Sequence, residues 1–108
     1  MTGTIITNDV KIGRGVLVNL NCTIGHDSSI GNFVEISPNV SISGHCTIGD
    51  YSTIGTNATI LPKIIIGKNV VIGAGAVVTQ NIPDNSVAVG VPAKVIKSNP
   101  NHWIKNLR

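Results

Sequence analysis

The sequence predicts an all-β solenoid, in which short strands wind around a prism-shaped core. An aliphatic residue returns every six residues without interruption from Ile6 to Val78, and all thirteen of these positions are Ile or Val. The position two before each of them, from Val10 onward, is Val, Ala, Ser or Cys, with Ile64 as the one exception. Each six-residue unit (hexad) therefore offers one large and one small side chain to the interior. A repeat at fixed period is the signature of a solenoid.

The position three after each aliphatic residue predicts a turn in every hexad. Ten of these thirteen positions hold Gly, Asn, Asp or His, which tolerate a left-handed backbone. An α-helix repeats every 3.6 residues and cannot produce a strict period of six, and a flat sheet would not turn so often. Short strands joined by regular corners remain as the architecture that fits.

The composition supports strands and limits the functional classes. Charged residues are 12% and aromatic residues 3% of the 108 residues, so the core depends on Ile and Val, which pack well on a pleated surface. The length indicates one small domain. No apolar run is as long as a membrane span, and nothing resembles a signal peptide. Two distant cysteines, in no metal-binding spacing, favour a cytoplasmic location.

The net charge of +3 is unevenly distributed along the chain. Residues 1–62 hold two cationic and four anionic side chains, a balance of −2, whereas residues 63–108 hold six against one, a balance of +5. The basic half has little aromatic interleaving, which disfavours binding of nucleic acid. It suits a small polyanionic ligand better.

Two stretches carry a resemblance to a known family. They are "NLNCTIGHDSSIGNFVEISPNVSISGHCTIGDYSTIGTNATILP" at 19–62 and "IGAGAVVTQNIPDNSVAVGVPAKVI" at 72–96. Both resemble the acetyltransferase domain of the sialic-acid and bacillosamine-type sugar acetyltransferases, which are hexapeptide-repeat enzymes. The hexad itself specifies only the fold, while the "GHD" box, the "ISPNVSISG" run and the "GVPAK" ending carry the narrower assignment.

The resemblance implies a left-handed parallel β-helix that assembles as a homotrimer. Three hexads would make one 18-residue triangular coil, so that residues 6–81 form about four coils. The domain is expected to cover residues 1–96, with 82–96 as a closing segment outside the repeat. Residues 97–108 would be a short C-terminal extension, predicted to form an amphipathic turn or helix after Pro100. Outward apolar side chains such as Leu17, Ile65, Val71 and Val77 suit a subunit contact.

His26 is the histidine that the turn pattern does not explain. Asp27 and His45 occupy the turn position of their hexads, whereas His26 lies one residue earlier, where no left-handed backbone is required. With 18 residues to a coil, Gly44 stacks directly over His26. A base beside an open backbone N–H is the minimum requirement for acyl transfer. Asp27 either orients the His26 imidazole or pairs with His45, one coil above it.

The resemblance gives these residues roles. His26 matches the general base of the family, Asp27 the acid beside it, and Gly44 the glycine whose N–H faces the thioester oxygen. Asn19 aligns with an asparagine near the sugar acceptor. Contacts to acetyl-CoA are implied for two further segments, along the pantetheine arm and near the nucleotide. They comprise Gly73, Ala74, Gly75 and Ala76, and then Gly90, Pro92, Ala93 and Lys94.

The expected function is direct transfer of acetyl from acetyl-CoA to an amine or hydroxyl of a sugar, with no metal required. A nucleotide-linked amino sugar is the leading acceptor. Two departures leave alternatives open. Relatives often carry a histidine where this chain has Glu35, and they commonly begin with a separate sugar-binding domain. The acceptor site is then simpler, the chain is a fragment, or a partner protein completes it.

Two functional alternatives come from other classes. A catalytically inactive repeat module for trimerisation or scaffolding fits the Glu35 substitution and the start of the chain near the repeat. A zinc hydratase would need three converging histidines, and the repeat offers His26 and His45 in different positions of their hexads without a third partner.

Overall fold

The computed structural model describes residues 3–99, which form fifteen strands and no helix. The first thirteen strands have two residues each and follow the hexads, and the last two are longer. The strands are β1 Ile5–Ile6, β2 Lys11–Ile12, β3 Leu17–Val18, β4 Thr23–Ile24, β5 Ser29–Ile30, β6 Glu35–Ile36, β7 Ser41–Ile42, β8 Thr47–Ile48, β9 Thr53–Ile54, β10 Thr59–Ile60, β11 Ile65–Ile66, β12 Val71–Ile72, β13 Val77–Val78, β14 Ser86–Val89 and β15 Lys94–Ser98.

The strands form three parallel sheets, which are the faces of a triangular prism. Face A contains β1, β4, β7, β10 and β13, face B contains β2, β5, β8 and β11, and face C contains β3, β6, β9, β12, β14 and β15. Paired residues are 18 apart, as in Ile6 with Ile24 and Ile30 with Ile48. The predicted left-handed parallel β-helix is confirmed. The five strands of face A span four coils, as expected for residues 6–81, and Ile82 and β14 extend the stack to about five levels.

The predicted turn position has a left-handed backbone in twelve of the thirteen hexads. Phe33, Tyr51 and Lys63 adopt it although their types disfavour it, because the turns before and after fix the path of the chain. The Phe33 and Tyr51 rings stack with centroids 5.5 Å apart. Asn81 is the exception, since its Oδ1 accepts a hydrogen bond from Ile65 N–H where the repeat ends. The twelve residues are Asp9, Gly15, Asn21, Asp27, Phe33, Asn39, His45, Tyr51, Asn57, Lys63, Asn69 and Gly75.

The core lies along the prism axis, where the aliphatic residues stack in columns. Ile30, Ile48 and Ile66 are buried on face B, as predicted. Ile12 was expected in the same column but is 40% exposed, because within residues 3–99 no coil stacks beneath β2. Ile6 on face A is exposed for the same reason.

The small inward positions bury polar atoms together with their partners. Ser52 Oγ donates to the Gly67 carbonyl and accepts from Val70 N–H. Cys22 and Cys46 are both buried, and their Sγ atoms lie near backbone carbonyls. Burial raises the pKa of the Cys46 thiol, while hydrogen bonds from the Ile64 and Lys63 backbone oppose that rise. Both thiols are therefore packed in the core, and neither is exposed to act as a nucleophile.

The closing segment 82–96, which lies outside the six-residue repeat, continues the stack of strands. Ile82 bridges to Ile66 in parallel register, and β14 pairs in parallel with β12. β15 then returns antiparallel to β14. The predicted extension 97–108 begins inside β15, and its predicted helix lies outside the described residues. Residues 3–99 contain no helix long and apolar enough to cross a membrane.

The two positions of each strand predict opposite responses to truncation. Ile48 is fully buried in the middle of face B, whereas Thr47 beside it is exposed. We expect Ile48→Ala to lower the free energy of unfolding by about 2–5 kcal/mol, from lost burial and an unfilled cavity. Thr47→Ala is the matched control and should change it by less than about 0.5 kcal/mol. Guanidinium denaturation followed by circular dichroism measures both, and similar losses would contradict this assignment of faces.

Candidate active site

The candidate site lies at the corner between faces A and B, where two successive coils turn. His26 and Asp27 follow β4, and Gly44 and His45 occupy the equivalent positions after β7. A Cβ on Gly25 would lie 2.5 Å from the Gly44 nitrogen, so a side chain there would push the coils apart. The glycine allows the His26 and Gly44 backbones to approach closely.

The His26 imidazole lies between Asp27 and Gly44. Its Nδ1 is 3.2 Å from Asp27 Oδ2, a hydrogen bond in which Nδ1–H is the donor when Asp27 is ionised. On the other side, a Cβ built on Gly44 would lie 3.1 Å from Nε2 and 3.2 Å from Cε1. The predicted stacking of Gly44 over His26 is therefore confirmed. Both His26 and Asp27 are exposed, so a substrate can reach Nε2.

At the corner between faces B and C, side-chain oxygens accept hydrogen bonds from the backbone N–H groups of the turns. Asn32 Oδ1 accepts a hydrogen bond from Arg14 N–H at 2.9 Å, and Asp50 Oδ1 accepts from Asn32 N–H at 2.8 Å. Asp84 Oδ1 accepts from Lys68 N–H at 2.8 Å. In each case the acceptor comes from the next coil and fills the space outside the turn.

Gly44 occupies the same position of its hexad at the corner between faces A and B, but no side chain of the described residues accepts a hydrogen bond from its N–H. The residue stacked above it is Pro62, which has no side-chain acceptor. Within residues 3–99 the Gly44 N–H donates to no group. A free N–H beside an imidazole can stabilise an oxyanion that forms there. Gly44 was predictable from the sequence, whereas the part played by Pro62 was not predicted, although its contrast with Asn32 and Asp50 is visible in the sequence.

His45 approaches the same carboxylate from the coil above. Its Nε2 lies 3.9 Å from Asp27 Oδ2, beyond hydrogen-bonding distance. Its ring meets the His26 ring edge to face, with centroids 5.0 Å apart. Of the two pairings left open by the sequence, the Asp27 hydrogen bond goes to His26. One ligand atom from each of His26, Asp27 and His45 lies within 4.8 Å of the others. The sequence placed Asp27 beside both histidines, but it did not predict that the three could form a metal-binding set.

The other predicted site residues lie on a different edge of the prism. Asn19 and the segment 73–76 belong to the corner between faces C and A. Asn19 Nδ2 donates to the Ile36 carbonyl at 3.2 Å. The segment 90–94 packs beside β13, where Val77 N–H donates to the Gly90 carbonyl. Within one chain, none of these residues meets His26.

The basic side chains of the C-terminal half are exposed. Within residues 3–99, Lys63, Lys68, Lys94 and Lys97 all project into solvent, and none lies within 4.0 Å of a carboxylate there. Glu35 is exposed on face C, away from the His26 corner. The C-terminal half of the described residues therefore presents exposed lysines that are not in ion pairs, two of them, Lys94 and Lys97, in β15.

A family model and solved structures are similar to this chain. The model described as "Bacterial transferase hexapeptide (six repeats)" matches residues 27–62 and 45–80. No curated protein matches the sequence at a significant level. A maltose O-acetyltransferase from Clostridium difficile is 33% identical with a TM-score of 0.81, over 93% of this chain and 71% of that one.

Two longer proteins are similar over roughly half their length. A mutant of GDP-perosamine N-acetyl transferase from Caulobacter crescentus, in complex with CoA and GDP-perosamine, is 27% identical with a TM-score of 0.69. The alignment covers 89% of this chain and 54% of that one. A serine acetyltransferase from Neisseria gonorrhoeae is 32% identical with a TM-score of 0.88, over 98% of this chain and 45% of that one.

Proposed function

Because the chain belongs to the bacterial transferase hexapeptide (six repeats) family, we propose that it transfers acetyl from acetyl-CoA to an amine or hydroxyl of a sugar. One observation carries the proposal. An exposed imidazole, oriented by a carboxylate through Nδ1, presents Nε2 beside a glycine whose amide is unpaired. This arrangement matches the two needs of acyl transfer, a proton acceptor and an oxyanion donor.

His26 is the proposed general base. With Nδ1–H donated to Asp27, the lone pair of the neutral imidazole is on Nε2, which faces the open side of the corner. Nε2 takes the proton of the acceptor hydroxyl or amine as its oxygen or nitrogen attacks the thioester carbon. Asp27 fixes the tautomer and stabilises the imidazolium that forms.

Gly44 is the proposed oxyanion donor. As the new C–O or C–N bond forms, the thioester oxygen gains negative charge and accepts a hydrogen bond from Gly44 N–H. The C–S bond then breaks, the carbonyl reforms, and the CoA sulfur leaves and receives the proton held by His26. No covalent bond to the protein is needed, and the two buried cysteines take no part.

A homotrimer would bring the separated residues together. His26 lies at the corner between faces A and B. The segments 73–76 and 90–94 lie at the corner between faces C and A and beside β13, nearer the C-terminal end of the stack. We propose that these segments, within a catalytic domain of residues 1–96, bind acetyl-CoA in the groove between two protomers. Lys94 would contact its phosphates, and Asn19 the acceptor. The cytoplasm is the proposed compartment, since both cysteines are unpaired.

The acceptor class is tested by CoA release from acetyl-CoA with a panel of acceptors. A nucleotide-linked amino sugar is the leading candidate, because the similar Caulobacter crescentus enzyme binds GDP-perosamine and CoA. The panel contains nucleotide-linked amino sugars, free amino sugars, maltose and serine. Release that depends on a sugar supports the proposal, and release with serine alone would contradict the sugar assignment.

The alternative of an inactive trimerisation module makes a different prediction in the same assay. It expects no release with any acceptor and no binding of acetyl-CoA in equilibrium titration. Binding without turnover would instead point to a missing acceptor domain or partner protein.

A further inference from the structure

Three potential metal ligands converge at the His26 corner. His26, Asp27 and His45 each place one ligand atom within 4.8 Å of the others, and all three side chains are exposed. They come from two coils, and His45 N–H donates to the His26 carbonyl at 2.9 Å, which holds the coils in register. Two imidazoles and one carboxylate are a ligand set typical of Zn²⁺, with further positions open to water.

One of the three ligand pairs already has the spacing of a tetrahedral site, and a second is longer. Ligands about 2.0–2.1 Å from Zn²⁺ lie roughly 3.3 Å from one another. His26 Nδ1 is already 3.2 Å from Asp27 Oδ2, and His45 Nε2 is 3.9 Å from the same oxygen. All three ligand atoms lie within 4.8 Å of one another, and rotation of the exposed side chains about their χ1 and χ2 bonds would bring them to the spacing of a tetrahedral site. The backbone, which is fixed by the coil hydrogen bonds, does not need to move.

We propose that His26, Asp27 and His45 form a Zn²⁺ site whose occupancy stops acetyl transfer; the second part rests on the proposed function. The metal takes the Nδ1 lone pair of His26, so the ring proton moves to Nε2. An imidazole with metal on Nδ1 and a proton on Nε2 has no lone pair left to accept a proton. The metal also occupies the Asp27 oxygen that otherwise accepts the Nδ1–H hydrogen bond.

His45→Asn separates metal binding from catalysis, because His45 has no part in the proposed transfer. Asparagine tolerates the left-handed backbone of residue 45, where φ is 59°. His102→Asn is the matched control, since it removes a histidine elsewhere in the sequence. Zn²⁺ affinity is measured on tag-free protein by isothermal titration, and Co²⁺ absorption reports histidine coordination.

We expect one Zn²⁺ per chain in the wild type and in His102→Asn, and roughly tenfold or more weaker binding in His45→Asn. Saturating Zn²⁺ should stop CoA release by the wild type but not by His45→Asn at the same concentration. Equal Zn²⁺ affinity in His45→Asn and the wild type would overturn the site. Full turnover with Zn²⁺ bound would overturn its effect on His26. If no acceptor is acetylated, the proposed function fails, and the titration alone decides the metal site.

Discussion

His26→Ala is expected to lower kcat for acetyl transfer by about 10²–10⁴-fold while leaving acetyl-CoA binding unchanged. The variant removes the group that accepts the acceptor's proton, so the transition state loses its base. The ring is exposed on a corner rather than packed in the core, so the fold should not depend on it. Steady-state CoA release and equilibrium titration with acetyl-CoA measure the two effects separately.

His45→Asn is the matched control for this loss. It removes an imidazole whose centroid is 5.0 Å from that of His26, at the same corner and on the next coil. Its turnover in metal-free buffer should stay close to that of the wild type. Equal losses in the two variants would show that the corner needs both rings and would contradict His26 as the single base.

Asp27 should matter less than His26 because its role is to orient. Its left-handed backbone is explained by the turn alone. The hydrogen bond that Asp27 accepts from His26 Nδ1–H is the contact that gives it an orienting role. The sequence could not separate these two explanations, since the same residue type satisfies both.

Much of the fold followed from the sequence because one short period controls both burial and turns. The buried Ile30, Ile48 and Ile66 were readable from spacing. Burial at the end of the prism was not predictable from spacing, because it depends on whether a neighbouring coil is present and not on the hexad itself. Ile12 has the same local pattern as Ile30 and is nevertheless exposed.

The closing segment shows a second limit of periodic patterns. Residues 82–96 lose the six-residue spacing, so the repeat pattern predicts no strands there. Ile82 and β14 still continue the stack, because their backbone groups pair with Ile66 and β12. Backbone hydrogen bonding does not require the spacing, so the pattern could not reveal this continuation.

The site was predictable in part for the same reason. An interval of 18 residues places Gly44 over His26, and the structure has that contact. The same interval places Asp27 below His45, but which histidine takes the Asp27 hydrogen bond depends on side-chain rotamers, which spacing does not determine. Residues from separate protomers cannot be related by one chain's sequence, so the roles of 73–76 and 90–94 stay proposals.

Gly44→Ala is expected to lower kcat by about 100-fold with little loss of stability, because a small displacement of a catalytic group has effects of this size. The added methyl would lie 3.1 Å from His26 Nε2 and 3.3 Å from the His26 carbonyl oxygen. These contacts are tight, and the exposed imidazole moves more easily than the hydrogen-bonded backbone. The ring therefore shifts away from the place where the thioester is attacked, although the Gly44 amide itself remains.

A double-mutant cycle tests whether the effect acts through the imidazole. If it does, Gly44→Ala should cause almost no further loss in a His26→Ala background, where no ring remains to be displaced. Single-turnover acetyl transfer measures the four variants, and thermal unfolding checks that the substitutions leave the prism intact. If the two losses multiply instead, the methyl group obstructs the thioester directly, and the effect does not act through displacement of the imidazole.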